Sequence, residues 1–318
     1  MRLRRSDLTT AGYGRRRRGR GISYVDERGA KITDPETLRR LRELVIPPAW
    51  SDVWISPDPL GHIQATGIDA AGRKQYLYHP QWRADRDAEK HEHVLDVAAR
   101  LPALRRQVNA DLGRRGLGRE RVLAAIAALL DSGAFRVGGD EYANGDDPTY
   151  GVATLRPEHV RGRKGGVVLE FPAKGGVEQA CEVTDARVCE VLRALHRRRK
   201  GSDRLFGYWD GRGWHDMRSD DVNEYLRAAS GTDMTAKDLR TWHATLLAAW
   251  SLAGEGPQGS ATRRKRAVAA VMREVAELLG NTPAVAKASY VDPRVVDLYH
   301  DGRVAAAPSE KAVRDLLS

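Results

Sequence analysis

The sequence predicts an α+β protein in two parts, a small mixed β-sheet domain followed by a mainly α-helical domain that carries a three-stranded antiparallel sheet. Up to Pro80, apolar residues fall in short alternating runs cut by turn residues. After Trp82 they recur at helical spacing over long segments. Between residues 151 and 183 the helical texture is interrupted by β-branched runs separated by Gly, Lys and Arg. A length of 318 residues admits two domains at about 150 residues each. The expected organisation is a basic flexible tail over 1–20, an α/β domain over 21–90 and the helical domain over 91–318.

In order along the chain, Ile22 to Asp26 and Lys31 to Thr33 read as strands around the turn at Arg28-Gly29. Asp34-Pro35-Glu36 then opens a helix, with Asp34 as N-cap and Pro35 at the first helical position, and Ile46-Pro47-Pro48-Ala49-Trp50 stops it. Val53 to Ile55, Ile63 to Thr66 and Arg73 to His79 read as strands of an antiparallel sheet. The charged stretch from Arg83 to His93 reads as a linker and helix start. Helical periodicity recurs over 94–106, 119–130, 185–198, 219–229, 236–252 and 264–279. Gly151 to Leu155, Val167 to Phe171 and Val177 to Val183 are the expected three strands. Residues Gly254 to Arg266 read as a mobile loop, suited to gating the segment after it.

Composition narrows the function. Lys and Arg number 53 against 43 Asp and Glu, a net charge of +10, so the summed field favours a polyanion, with nucleic acid the first choice. The basic run at Arg2, Arg4, Arg5 and Arg15 to Arg18 reads either as a solvated tail or as a phosphate-contacting arm. The two cysteines, Cys181 and Cys189, match neither a zinc knuckle nor a disulfide framework and fit a reducing cytoplasm. No metal site is expected: His91 and His93 diverge on one helix, and His62 and His79 lie on separate strands. No nucleotide cofactor is expected either, because Gly138-Gly139 and Gly165-Gly166 lack the residues of a phosphate loop. No apolar run approaches the roughly 18 residues that span a bilayer, so membrane insertion is not expected.

What remains is a set of residues placed beside element breaks. Arg136 sits in F-R-V-G-G-D-E-Y, Lys174 at the predicted hairpin tip in F-P-A-K-G-G, Arg240 in K-D-L-R-T near a helix start, and Tyr290 in G-N-T-P-A-V-A-K-A-S-Y. Taken singly, each has a bland reading: a surface ion pair, a solvated lysine, a half-buried tyrosine. Taken together, in this order and spacing, they resemble the poxvirus-like type IB DNA topoisomerases over nearly the whole chain. Thr154 to Val160 and Asp221 to Leu226 are similar to that family's framework, and Ile46 to Trp50 with Gln64 to His79 are similar to its bacterial branch.

The resemblance implies the catalytic fold shared by tyrosine recombinases and type IB topoisomerases, acting on double-stranded DNA as a monomer without cofactor. It implies that Tyr290 is the nucleophile of a 3′-phosphotyrosyl intermediate. Arg136 and Arg240 would hold the phosphate, whose nonbridging oxygens gain charge in the transition state and match planar guanidinium forks. Lys174 would protonate the departing 5′-oxygen. Where many members carry a histidine nine residues before the tyrosine, this chain has Asn281, which donates a neutral hydrogen bond but carries no charge. Lys237 would touch DNA near the cleavage site. Along residues 73–78, Arg73 and Gln75 share one strand face with Leu77, and Tyr76 and Tyr78 share the other; the resemblance puts this ribbon in the major groove, whereas a plain strand core would bury the tyrosines. Two other readings stay open. A tyrosine recombinase uses a similar constellation but usually has H-x-x-R where this chain has Lys237 in K-D-L-R, and a basic DNA-binding protein would use these residues only to touch phosphates.

Overall fold

Backbone pairing begins inside the expected tail. In the computed structural model, which describes residues 2–19, 21–144, 147–198 and 202–318, β1 (Tyr13–Arg18) pairs antiparallel with β2 (Gly21–Val25) and with β3 (Ser51–Ile55). The flexible-tail expectation for 1–20 therefore fails over β1. The reason is that an arginine-rich strand can be held by its backbone. β1 lies between two partners in the sheet, and Arg15 spends its guanidinium on the carbonyls of Ile46 (2.9 Å), Pro47 (2.9 Å) and Trp50 (2.7 Å). Further upstream, the Arg4 backbone N–H donates to Leu60 O at 2.9 Å and that of Ser6 to His62 Nδ1 at 2.8 Å.

The chain divides into two compact units, Met1–Lys90 and His91–Ser318. In the first, β4 (Ile63–Ile68) and β5 (Lys74–Tyr78) complete an antiparallel sheet of order β2-β1-β3-β4-β5. Helix α1 (Pro35–Glu43) begins as expected: the Asp34 carboxylate accepts from the Thr37 N–H at 2.8 Å, and Pro35 occupies the first turn. Leu41, Ile46, Ile55 and Ala65 form its small core, with Leu77 packed against them. Lys31 makes only an isolated bridge to Val25 rather than opening a strand.

The unit boundary falls within α2 (Pro80–Leu112), so the charged stretch 83–93 is helix rather than linker. There follow α3 (Arg119–Leu130), α4 (Asp140–Ala143), the strands β6 (Val160–Arg163), β7 (Gly166–Ala173) and β8 (Val177–Val183), and α5 (Ala186–His196). A small hairpin, β9 (Gly207–Trp209) with β10 (Trp214–Asp216), precedes α6 (Ser219–Ser230), α7 (Ala236–Glu255), α8 (Ala261–Leu279), α9 (Pro283–Ser289), α10 (Pro293–His300) and α11 (Glu310–Leu317). Trp242, Leu101, Leu104, Leu123, Ile126, Leu130, Phe171 and Phe206 are fully buried in one apolar core.

Two expectations in this unit are corrected. The sheet is β6-β7-β8, and residues 152–154 form a buried 3₁₀ turn instead of a strand. That apolar run pairs elsewhere: the N–H groups of Val152 and Ala153 donate to the carbonyls of Arg136 and Val137, both at 2.8 Å. A short apolar run does not by itself distinguish a strand from another buried segment. The expected mobile loop 254–266 shrinks to residues 256–260, because α7 runs to Glu255 and α8 starts at Ala261. The remaining link is tied down by Tyr299 Oη to Gly256 O (3.1 Å) and Arg264 Nη1 to Gln258 O (2.8 Å).

Candidate active site

Arg136 follows α3 on a segment whose path is set by glycine. Gly138 adopts φ +83°, and a Cβ placed there would meet Gly151 Cα at 2.8 Å. Only glycine allows both that backbone conformation and that approach. The result is a backbone-to-backbone clasp that holds Arg136 at the rim of a cleft.

Arg240 comes from the second turn of α7. Thr235 caps that helix reciprocally with Asp238, and the Asn223 carboxamide oxygen accepts from Ala236 N–H at 3.1 Å. Arg240 is 3 % exposed. Its Nη1 donates to Ala134 O at 3.1 Å and Gly133 O at 3.4 Å, and its Nη2 donates to Leu279 O.

Leu279 is the last residue of α8. Gly280 turns left-handed (φ +56°) after it and returns its N–H to Ala276 and Glu277, which leaves the Leu279 carbonyl free for partners outside the helix. Arg136 Nη2 shares that carbonyl at 3.3 Å and donates to Asn281 Oδ1 at 2.7 Å. A helix C-terminus carries partial negative charge, so the two guanidiniums are gathered at one negative pole. Nothing in the sequence motif announced this use of the Leu279 carbonyl; the only trace was Gly280 at the helix end.

Neither arginine forms a salt bridge with a carboxylate among the described residues. Burial pushes the Arg240 guanidinium down to about 10, and Arg136 acts in the same direction while the Tyr290 hydroxyl partly offsets both. Burial lowers Arg136 too. Arg240 Nε and Asn281 Nδ2 are buried donors without a hydrogen-bond partner among the described residues. Two partly desolvated cations with spare donors and no anion of their own constitute a receptor for an anion.

Tyr290 caps the C-terminus of α9, its N–H donating to Ala286 O at 3.0 Å, and Thr245 Oγ1 donates to its carbonyl at 3.3 Å. The Arg240 guanidinium carbon lies 5.6 Å from the centre of its half-buried ring, within cation–π range. Tyr290, Arg136, Lys174 and Lys237 line one cleft of about 670 Å³, and Arg240 and Asn281 stand behind its wall. Lys174 is exposed at the tip of the β7–β8 hairpin, followed by Gly175 and Gly176 at φ +85° and +72°. Lys237 is exposed on the first turn of α7. Tyr142, Tyr150, Arg218 and Asn223 also line the cleft; of these, Tyr142 and Asn223 lay in motifs singled out from the sequence, and Tyr150 and Arg218 did not. Cys181, beside Arg240, has its thiol pushed up to about 11 by burial, so it offers no thiolate nucleophile.

Residues 79–307 match the family described as eukaryotic DNA topoisomerase I, catalytic core. The chain belongs to the type IB DNA topoisomerase family. Residues 21–69 match the bacterial DNA topoisomerase IB N-terminal domain. A DNA topoisomerase 1B of Acanthamoeba polyphaga mimivirus is 30% identical over 288 residues, covering 88% of this chain and 84% of the relative. A DNA topoisomerase I of monkeypox virus and a DNA topoisomerase 1B of vaccinia virus (strain Copenhagen) are each 22% identical over 287 residues, with 87% of both chains covered. As a type IB topoisomerase, the protein relaxes supercoiled duplex DNA through transient cleavage of one strand, rotation and religation. Among the described residues no helix is long and apolar enough to cross a membrane.

The topoisomerase residues expected to contact DNA from the first unit divide into two kinds. Tyr76 and Tyr78 project outward from β5, 39 % and 37 % exposed, stacked with centroids 6.1 Å apart. Leu77 takes the core side. Arg73 and Gln75 are committed to Asp69, at 3.0 Å and 2.8 Å, and so brace the turn before β5.

Proposed function

We propose that Tyr290 is the nucleophile of this topoisomerase, that Arg136 and Arg240 hold the scissile phosphate, and that Lys174 is the proton donor. The observation that carries this reading is the pair of arginines, buried Arg240 and half-buried Arg136, on the Leu279 carbonyl, with the Tyr290 ring over one and its cleft lined by the other. The Tyr290 oxygen forms a bond to phosphorus as the bond from phosphorus to the 5′-oxygen breaks. Phosphate charge grows against the two guanidinium forks, the tyrosine proton passes to solvent, and Lys174 protonates the leaving oxygen. The phosphotyrosyl ester retains the energy of the phosphodiester, so resealing runs the same steps backwards without ATP. Asn281 fixes Arg136 through Oδ1 and offers Nδ2 to a phosphate oxygen, a positional role without proton transfer. Lys237 contacts the backbone beside the cut.

Every proposed catalytic group lies in the unit His91–Ser318, so one copy holds a complete set, and a monomer is the working form. A DNA substrate and the free thiols Cys181 and Cys189 support action on the nucleoid in the cytoplasm.

The test is supercoiled plasmid incubated in chelator without nucleotide and quenched with detergent. The expected product is relaxed DNA plus a nicked fraction carrying protein on its 3′ end. Nicks with free ends, or protein on the 5′ end, would overturn the assignment.

Tyr76 and Tyr78 are proposed to meet the duplex in the major groove, with Arg73 and Gln75 fixing the ribbon that presents them. Replacing both tyrosines by Ala is expected to weaken duplex affinity about tenfold, the low end of what groove contacts are worth. Their exposure keeps the effect on Tm small. A titration of labelled duplex checks the first outcome and a thermal melt the second; unchanged affinity would remove β5 from the interface.

A further inference from the structure

The same face of α7 grips the turn after α3 twice. Arg240 donates to the carbonyls of Gly133 and Ala134, and His243, three residues along the helix, meets Asp131 with Nε2 to Oδ1 at 3.1 Å. Residues at this spacing share a helix face. Gly133 lies between the two contacts at φ +77°, and a Cβ there would come within 2.5 Å of His243 Cβ. The turn and the helix are thus in closest contact at a position that admits no side chain.

Asp131 is held from the other side as well. Arg105 of α2 donates to its two oxygens at 2.6 and 3.1 Å, and also to Glu310 of α11 at 2.6 and 3.0 Å. Burial raises the Asp131 carboxyl, but the hydrogen bonds from His243 and Arg105 outweigh it and leave the group below the ordinary range. The carboxylate is therefore ionised and fixed between two helices. From Asp131 the chain runs through Gly133 and Ala134, which orient Arg240, to Arg136.

We propose that His243 and Asp131 are positioning residues for strand cleavage, fixing the 131–134 turn so that its carbonyls set the plane of the Arg240 guanidinium. The proposal rests on the reading of Arg240 as a phosphate-holding residue. A bidentate fork works only when its plane is set, and a displacement of about 1 Å remote from the reacting atoms can cost about a hundredfold in rate. His243 touches neither substrate nor reacting atoms; it acts through the turn.

The experiment compares His243→Leu, which keeps bulk and removes the donor, with His243→Gln, whose amide can still donate to Asp131. The full chain is used at saturating concentration on a duplex that traps the covalent adduct. Single-turnover adduct formation should fall about 10- to 100-fold in His243→Leu and recover to within about threefold of the parent in His243→Gln. Combined with Arg240→Ala, His243→Leu should cost nothing further, because coupled residues are non-additive. Duplex affinity, measured with Tyr290→Phe as the background, should not change. Equal rates for the Leu and Gln variants, or the same fold loss with and without Arg240, would overturn the proposal. Full activity in Arg240→Ala alone would instead overturn the site reading beneath it.

Discussion

Tyr290→Phe is expected to bind duplex DNA with parental affinity and to form no covalent adduct. The substitution removes one oxygen and leaves the ring, so the contact over Arg240 and the backbone hydrogen bonds to Ala286 and Thr245 persist. With the nucleophile gone, the remaining groups can only polarise a phosphate that nothing attacks. Removal of a covalent nucleophile costs factors on the order of 10⁵ to 10⁶, which puts plasmid relaxation below detection. The check is a detergent-quenched cleavage assay beside an equilibrium titration on the same duplex. Residual nicking with protein attached would mean that another side chain is the nucleophile, and the half-buried thiol of Cys181, held protonated by the part of it that is desolvated, makes a poor substitute.

Arg240→Ala should slow single-turnover cleavage about 10²- to 10³-fold, the usual consequence of deleting one transition-state donor, equivalent to about 3–4 kcal/mol. Arg240→Lys should recover little of this, since a point charge on a flexible stem cannot serve the Gly133, Ala134 and Leu279 carbonyls and a phosphate oxygen in one plane. The stability effect should be far smaller than burial suggests. The guanidinium is 3 % exposed with no carboxylate partner among the described residues, so the lost hydrogen bonds are offset by relief from a desolvated charge beside Arg136. A rate deficit that tracks a collapse in Tm would identify Arg240 as a structural residue.

The parts of the fold that were legible from sequence are those written in local periodicity. Asp34-Pro35 announced α1, the apolar spacing after residue 119 announced α3, and Gly280 closed α8 as a left-handed cap should. What escaped depends on partners distant in the chain. β1 is held by carbonyls some 30 residues away, the 152–154 turn by the segment at 136–137, and the apparent loop at 254–266 by Tyr299. The candidate site follows the same division. Arg136, Lys174, Arg240 and Tyr290 could be picked out by their motifs, and Arg136, Lys174 and Tyr290 line one cleft. The Leu279 carbonyl and the contact between His243 and Asp131 could not be read in advance, because a backbone oxygen has no signature and a histidine three residues past an arginine is unremarkable until the fold supplies its carboxylate.

On the reading proposed for Lys174, the proton donor rides on an exposed hairpin tip beside Gly175 and Gly176, whereas the two arginines are pinned to backbone carbonyls. Acid and clamp are thus mounted on separate supports, so a substitution that loosens the tip is expected to slow departure of the 5′-oxygen and to leave the grip on phosphate intact.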